Sequence, residues 1–342
     1  MKIVKQLTYS FVDCTTRSML IEYNCNGAKY PTKYPTTSLV EFTKHCAPEA
    51  WKDFFGQGDV INAIEMVDNY IKQEHTTAQG YRIEPPIQLM FEAFQRVRPE
   101  DVKVVILGQD PTPQEGKATG RAFSVEDPRT VGSVMNVLLE VAYEGWSVDL
   151  DNGDLSKWEA QGVLLLNSAL TIGEIAYEDE KGEIKTKEVK MVSHLSYWCP
   201  FTKLLIQYID KYFLPSVWML WGKVAQDFTV ERKFDSINKC FNQNQASNTN
   251  IKDHPSLIKK GYILTGGHPS PLGGAKAPNT FFAGGYFYCA NIYLYETRKV
   301  QIDWSLWDGK KGYQLNNKIE KCPPINVNKN KKKQQVFMPK RK

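Results

Sequence analysis

"VKVVILGQDPTP", residues 102–113, joins a run of apolar, mostly β-branched residues to a glycine, an acid and two prolines. The run is short and has no polar face, which is how a strand buried on both sides reads. Beyond Gly108 the chain must leave its sheet, and the prolines on either side of Thr112 limit the turn that displays Asp110. A carboxylate held rigidly at a strand end can orient water or oppose developing positive charge. The same residue can equally be the cap of an ordinary turn.

Three further runs have the same character: "GVLLLN" (162–167), "SVWMLWG" (216–222) and "GYILTGG" (261–267). Between and before them, apolar residues at helical spacing predict helices over 59–73, 86–97, 132–144 and 201–213. The alternation predicts an α/β fold: a single domain with a central, mostly parallel four-stranded sheet flanked by helices. Such sheets bind ligands beyond the carboxyl ends of their strands. Here those ends run into "GQDPTP", "NSAL" and "GGHPSPLGG", which bring a carboxylate, an amide and an imidazole together.

Each of these groups has a plain structural reading beside the functional one. Asn167 ends an apolar strand, so its amide needs partners, either a planar base edge or the backbone of a turn. His268 can stabilise an anion or pack at a strand end. Phe123 is a stacking platform or part of the core. Leu272, between Pro271 and two glycines, is an apolar tip on a loop, as wedges that enter a DNA stack are, and as isolated surface leucines also are. The second His-Pro-Ser, at 254–256, follows an Asn-rich stretch with no strand leading into it, and context favours His268.

With 342 residues, 42% hydrophobic and 24% charged, the chain can bury a sizeable core, which excludes disorder throughout. The seven cysteines form no CxxC pair and no Cys/His ligand spacing, so no zinc or iron–sulfur framework is expected. Their odd number suits a reducing compartment. No run approaches membrane-spanning length and none resembles a signal sequence. An intracellular protein without membrane association is expected, nuclear in a cell with a nucleus and otherwise cytoplasmic.

The net charge of +5 is uneven: residues 318–342 hold nine Lys/Arg and one Glu, leaving −3 for the rest. Nucleic-acid binding by the body therefore needs a local patch, helix N-termini and backbone amides. The tail over 326–342 is basic and of low complexity, and reads as a disordered arm, an import signal or both.

Taken together, "GQDPTP", "AFSV" (122–125), "KWEAQ" with "GVLLLN" (157–167) and "HPSPL" (268–272) resemble the uracil-DNA glycosylase superfamily, family 1. "EPPIQLMFEAF" (84–94), "SHLSYWCPFT" (193–202), "MLWGKVAQ" (219–226), "FFAGGYFYCAN" (281–291) and "IDW" (302–304) extend the match over residues 45–307. The resemblance implies a monofunctional glycosylase without cofactor or metal, a monomer that takes a flipped uracil-type base from single- or double-stranded DNA. It implies Asp110 and His268 as the catalytic pair and Gln109, Thr112, Phe123 and Asn167 as the base-binding set. Ser133, Ser270, Pro271 and Leu272 would grip the DNA. The alternatives are a non-catalytic relative that binds DNA or a partner, and, far behind, a nucleotide-binding α/β protein, for which no GxGxxG or P-loop is present.

The sequence departs from the family at Thr112 and Pro113, where the pattern has Tyr and His. The family Tyr packs against C5 of uracil and excludes the methyl of thymine; Thr cannot fill that space. Tolerance of thymine, 5-hydroxymethyluracil or another 5-substituted uracil is expected, unless a residue from elsewhere refills the gap. The expected organisation is an extension over 1–44 with a possible docking role toward a repair or replication partner, the catalytic domain over 45–307, and the tail over 308–342. Polar, charge-rich insertions are expected near 173–190 and 229–258, outside the core.

Overall fold

The computed structural model describes residues 38–77, 81–114, 116–178, 184–229, 256–271 and 281–307. Four strands, β2 (Val104–Gly108), β3 (Val163–Asn167), β6 (Val217–Trp221) and β7 (Tyr262–Gly266), form a wholly parallel sheet in the order β3-β2-β6-β7. Every residue of β2, β3 and β6 is buried. Side-chain alternation then divides the core in two. Val105, Leu107, Leu164, Leu166, Trp218 and Leu220 pack with helices α1 (Leu39–Cys46), α2 (Gly58–Thr77) and α4 (Leu195–Tyr212). Val104, Ile106, Val163, Leu165, Val217 and Met219 face α3 (Gly132–Tyr143) and α5 (Tyr286–Arg298) on the other side. A sheet covered on both faces has no room for polar residues along its strands, which is why β2, β3 and β6 read as unbroken apolar runs; β7, at the edge, is half-buried and carries an exposed Thr265.

The outgoing connection of β2 leads to β3 on one side, and that of β6 leads to β7 on the other. Such a reversal opens a crevice beyond the carboxyl ends of β2 and β6.

A second sheet corrects the sequence reading. The charge-alternating stretch expected as a patternless insertion at 173–190 forms β4 (Ile172–Glu178) and β5 (Ile184–Ser193), an antiparallel pair that joins β1 (Tyr81–Glu84) in the order β1-β4-β5. Its inner end is not peripheral: Ile172 is buried, and Glu174, also buried, pairs with Arg82 of β1. The helix expected over 86–97 is two short pieces, a 3-10 turn (Ile87–Leu89) and one helical turn and a half (Glu92–Arg96). The expected boundary at 44/45 falls inside α1, whose Leu39 and Phe42 are buried in the core and whose N-terminus is capped by Ser38. Residues 1–37, most of the second insertion (230–255) and the tail from 308 lie outside the described residues. Among the described residues no helix is long and apolar enough to cross a membrane.

Candidate active site

Gly108 and Asn167 are register partners at the carboxyl ends of β2 and β3. A Cβ on Gly108 would overlap Asn167 Oδ1 and crowd the Ala122 methyl. The missing side chain is what allows the Asn167 amide to lie across the strand end, where it is buried. The two ends are tied by Ser168, whose N–H and Oγ both donate to Gly108 O at 2.9 and 2.8 Å, and by Ala169 N–H, which donates to Gln109 O at 2.9 Å.

Asp110 follows directly. Gln109 Nε2 donates to its Oδ2 at 2.8 Å and Ser193 Oγ donates to its Oδ1 at 2.8 Å. Burial raises its carboxyl above the ordinary range, and the two hydrogen bonds oppose that rise, Ser193 more than Gln109. Thr112 and Pro113 are half-buried in the loop beyond it. Gly116 N–H in that loop donates at 3.2 Å to Oε1 of the buried Glu84, whose carboxyl burial pushes up to about 7. Gly120, at φ +75°, fits so tightly on the Ile87–Leu89 turn that a Cβ would overlap Leu89 O. The 84–90 segment is thereby a buttress for the loop that carries Thr112.

Phe123 stands in the left-handed region at φ 58°, a conformation that costs a non-glycine residue about 1 kcal/mol. Its neighbours hold it there: Ala122 N–H donates to Leu165 O at 3.0 Å and Val125 N–H to Gly153 O at 3.1 Å. The ring meets Trp221, the last residue of β6, edge-on at 5.3 Å, and lies 6.4 Å from the ring of His268.

His268 packs over Gly222, where φ is +89° and a Cβ would stand 3.0 Å from His268 Cβ. Ser270 N–H donates to His268 Nδ1 at 3.0 Å. A backbone N–H can only donate, so Nδ1 carries no proton and the neutral ring has its hydrogen on Nε2. Burial lowers the pKa of this imidazole and keeps it neutral.

The His268 loop also meets the start of α3. Asn136 Nδ2 donates to Pro269 O at 2.6 Å, and a Cβ on Gly132 would touch Pro271 Cγ at 2.6 Å. Ser133, in the first turn of α3, and Ser270 and Pro271 therefore share one edge of the crevice. Leu272 lies outside the described residues. Among the described residues, no group of three or more His, Cys, Asp or Glu could hold a metal ion.

Asp110, Gln109, Asn167, Phe123 and His268 thus stand along one rim, with Thr112 in the adjoining loop. Ser193, Trp221 and Glu84 belong to the same neighbourhood and were not assigned roles from the sequence, although each lies inside a quoted motif or strand. Their parts are contacts across long sequence separations, 83 residues for Ser193 to Asp110, and no local pattern announces these.

A profile of the Uracil DNA glycosylase superfamily matches residues 94–283. The chain is 32% identical over 261 residues to a uracil-DNA glycosylase of Bordetella petrii, covering 75% of this chain and 86% of that one. It is 33% identical over 258 residues to the Borrelia hermsii enzyme of the same name, covering 75% and 97%. Among solved structures, mimivirus uracil-DNA glycosylase shares the fold, with a TM-score of 0.53 at 23% identity over 84% of this chain and 99% of that one. A mimivirus UNG variant crystallised with UGI superimposes with a TM-score of 0.56 at 22% identity, over 87% and 97% of the two chains. With the profile spanning more than half of its residues and relatives matching along three quarters of its length, this chain belongs to the uracil DNA glycosylase superfamily.

Proposed function

We propose that the protein is a monofunctional DNA glycosylase that hydrolyses the N-glycosidic bond of a flipped uracil-type base and leaves an abasic site. The observation that carries the reading is the rim itself: a carboxylate, an amide, an aromatic ring and a neutral imidazole at the carboxyl ends of one parallel sheet, on a chain whose relatives are uracil-DNA glycosylases.

A base inside a duplex is out of reach, so the nucleotide must leave the stack at a cost of a few kcal/mol. Ser133, Ser270 and Pro271 suit the flanking phosphates, because the N-terminus of α3 offers free N–H groups and positive partial charge beside them. Leu272 is proposed to fill the vacated stack. In the pocket Phe123 stacks on the base, and Gln109 lies along its path. The Asn167 amide pairs with the N3–H and O4 edge that distinguishes uracil from cytosine.

Cleavage of the C1′–N1 bond leaves its electron pair on the base and positive charge on the sugar. His268, with hydrogen on Nε2, donates to the base O2 and stabilises the departing anion without first losing a proton from Nδ1. Asp110, as a carboxylate, opposes the sugar's charge and directs water to C1′; the water oxygen bonds to C1′ as its proton passes to the Asp110 carboxylate, and the base anion takes up a proton from solvent as it leaves.

Thr112 makes the C5 side of this pocket less filled than a Tyr would, and the reading extends to 5-substituted uracils, thymine and 5-hydroxymethyluracil included. Replacing Asp110→Asn tests the activity: base release falls roughly a thousand-fold while affinity for the same oligonucleotide stays unchanged. Undiminished release by the variant contradicts the role given to Asp110, and absence of release by the unmodified protein favours a DNA-binding relative without catalysis.

A further inference from the structure

Ser193 ends β5 and leads straight into α4, an 18-residue helix. Its hydroxyl stands between two groups. Leu195 N–H, in the first turn of α4, points at Ser193 Oγ at 3.2 Å, and Asp110 Oδ1 lies 2.8 Å from the same oxygen. An amide N–H can only donate, so Ser193 Oγ accepts there, and its single hydrogen is directed to Asp110. The arrangement connects the electropositive start of α4 to the carboxylate through one hydroxyl.

We propose that Ser193 is a positioning residue, which orients the half-buried Asp110 carboxylate and keeps it ionised. The proposal rests on the reading of Asp110 as the group that faces the sugar. Two features separate Ser193 from an ordinary helix-start serine. It is the larger of the two hydrogen-bonding influences that hold the Asp110 pKa down against burial. It also comes from the end of β5, so the second sheet reaches the chemistry through this hydroxyl.

The groups that border Asp110 from other elements leave this task to neutral donors. Gln109 is an amide, Asn167 and Ser168 at the end of β3 are uncharged, and the two nearby histidines are held neutral by burial. His194, whose Nδ1 is hydrogen-bonded to Thr171 Oγ1 at 2.8 Å while Trp198 Nε1 donates to that same oxygen, is pushed down to about 3. His268 is likewise lowered. Among the described residues no cation is a cause of the Asp110 shift, so none substitutes for a lost hydroxyl.

The test is single-turnover release of uracil from one oligonucleotide as a function of pH, with the full chain and Ser193→Ala, Ser193→Thr and Asp110→Asn. Ser193→Ala is expected to slow release about tenfold and to move the acidic limb up by about one pH unit, with oligonucleotide affinity unchanged. Ser193→Thr keeps the hydroxyl and restores the limb. Should alanine unsettle the start of α4, Ser193→Gly, tolerated where helices begin, gives the same reading. An acidic limb unmoved in the Ala and Gly variants overturns the proposal while Asp110→Asn stays inactive. An active Asp110→Asn overturns the reading of Asp110 instead.

Discussion

Asp110 is asked to be charged where charge is costly. Burial raises its pKa, so the folded state penalises the anion relative to the unfolded chain. That penalty is present at pH values above the raised pKa and disappears as pH falls toward the unfolded value, which is the reverse of a salt-bridged carboxylate. Asp110→Asn removes the penalty. Its Oδ1 still accepts from Ser193, and the Gln109 amide can turn over to accept from its Nδ2. The variant is therefore expected to show a Tm at neutral pH equal to or above that of the unmodified protein while losing excision; a clear drop in Tm contradicts this balance. Activity follows the opposite direction: it is lost as pH falls through the raised pKa, and the loss begins at a higher pH than for a solvated aspartate. Much of this was legible from sequence. "GQDPTP", "GVLLLN" and "HPSPL" mark Asp110, Asn167 and His268 because each lies at the carboxyl end of a strand of the parallel sheet. What stayed out of reach was which group controls Asp110, since Ser193 meets it through a fold-level contact.

At the scale of elements, strands buried on both faces announced themselves and elements stabilised by partners did not. The residues of β2, β3 and β6 are apolar because the sheet is covered on both sides there, so the sequence could not hide them; β7, at the edge, is half-buried and carries an exposed Thr265. The β4–β5 hairpin carries charge along its length and reads as solvated chain; its pairing with β1 supplies what periodicity does not show. Helix α5 lies outside the helices expected from apolar spacing, and no side chain caps its start. The amides at its start and in the approach to it are served from α3 and its C-cap: Glu140 accepts from Ala283 and Gly284, and Glu144 from Phe287 and Tyr288, at 2.7–3.3 Å. Asp210 of α4 does the same for the approach to β7, accepting from the N–H groups of Lys259, Lys260 and Gly261 at 2.9, 3.0 and 3.2 Å. Asp210→Ala strips three donors of their acceptor and is expected to destabilise the protein by about 3 kcal/mol. Urea unfolding checks this as a lower midpoint at unchanged slope. A shift within error of zero would mean that water serves those groups equally well.

For the molecule as a whole, charge and site are separated along the chain. The body before residue 318 carries −3 and the segment from 318 onward +8, so affinity for a polyanion has two sources with different salt responses. The rim and the start of α3 offer dipoles and backbone amides, while the tail offers lysines whose binding releases counterions. Deleting residues 326–342, which include seven Lys/Arg, is expected to flatten the dependence of log Kd on log salt and to leave the rate of base release from saturated enzyme unchanged. An unaltered salt slope would leave the tail the role of an import signal. Thr112 is where the family assignment stops deciding the substrate. Base release from matched oligonucleotides that differ only in carrying uracil, thymine or 5-hydroxymethyluracil is the most direct test of the central claim. Release of uracil together with at least one of the 5-substituted bases is expected, all abolished by Asp110→Asn; release of uracil alone contradicts the open C5 side, and release of none contradicts the glycosylase itself.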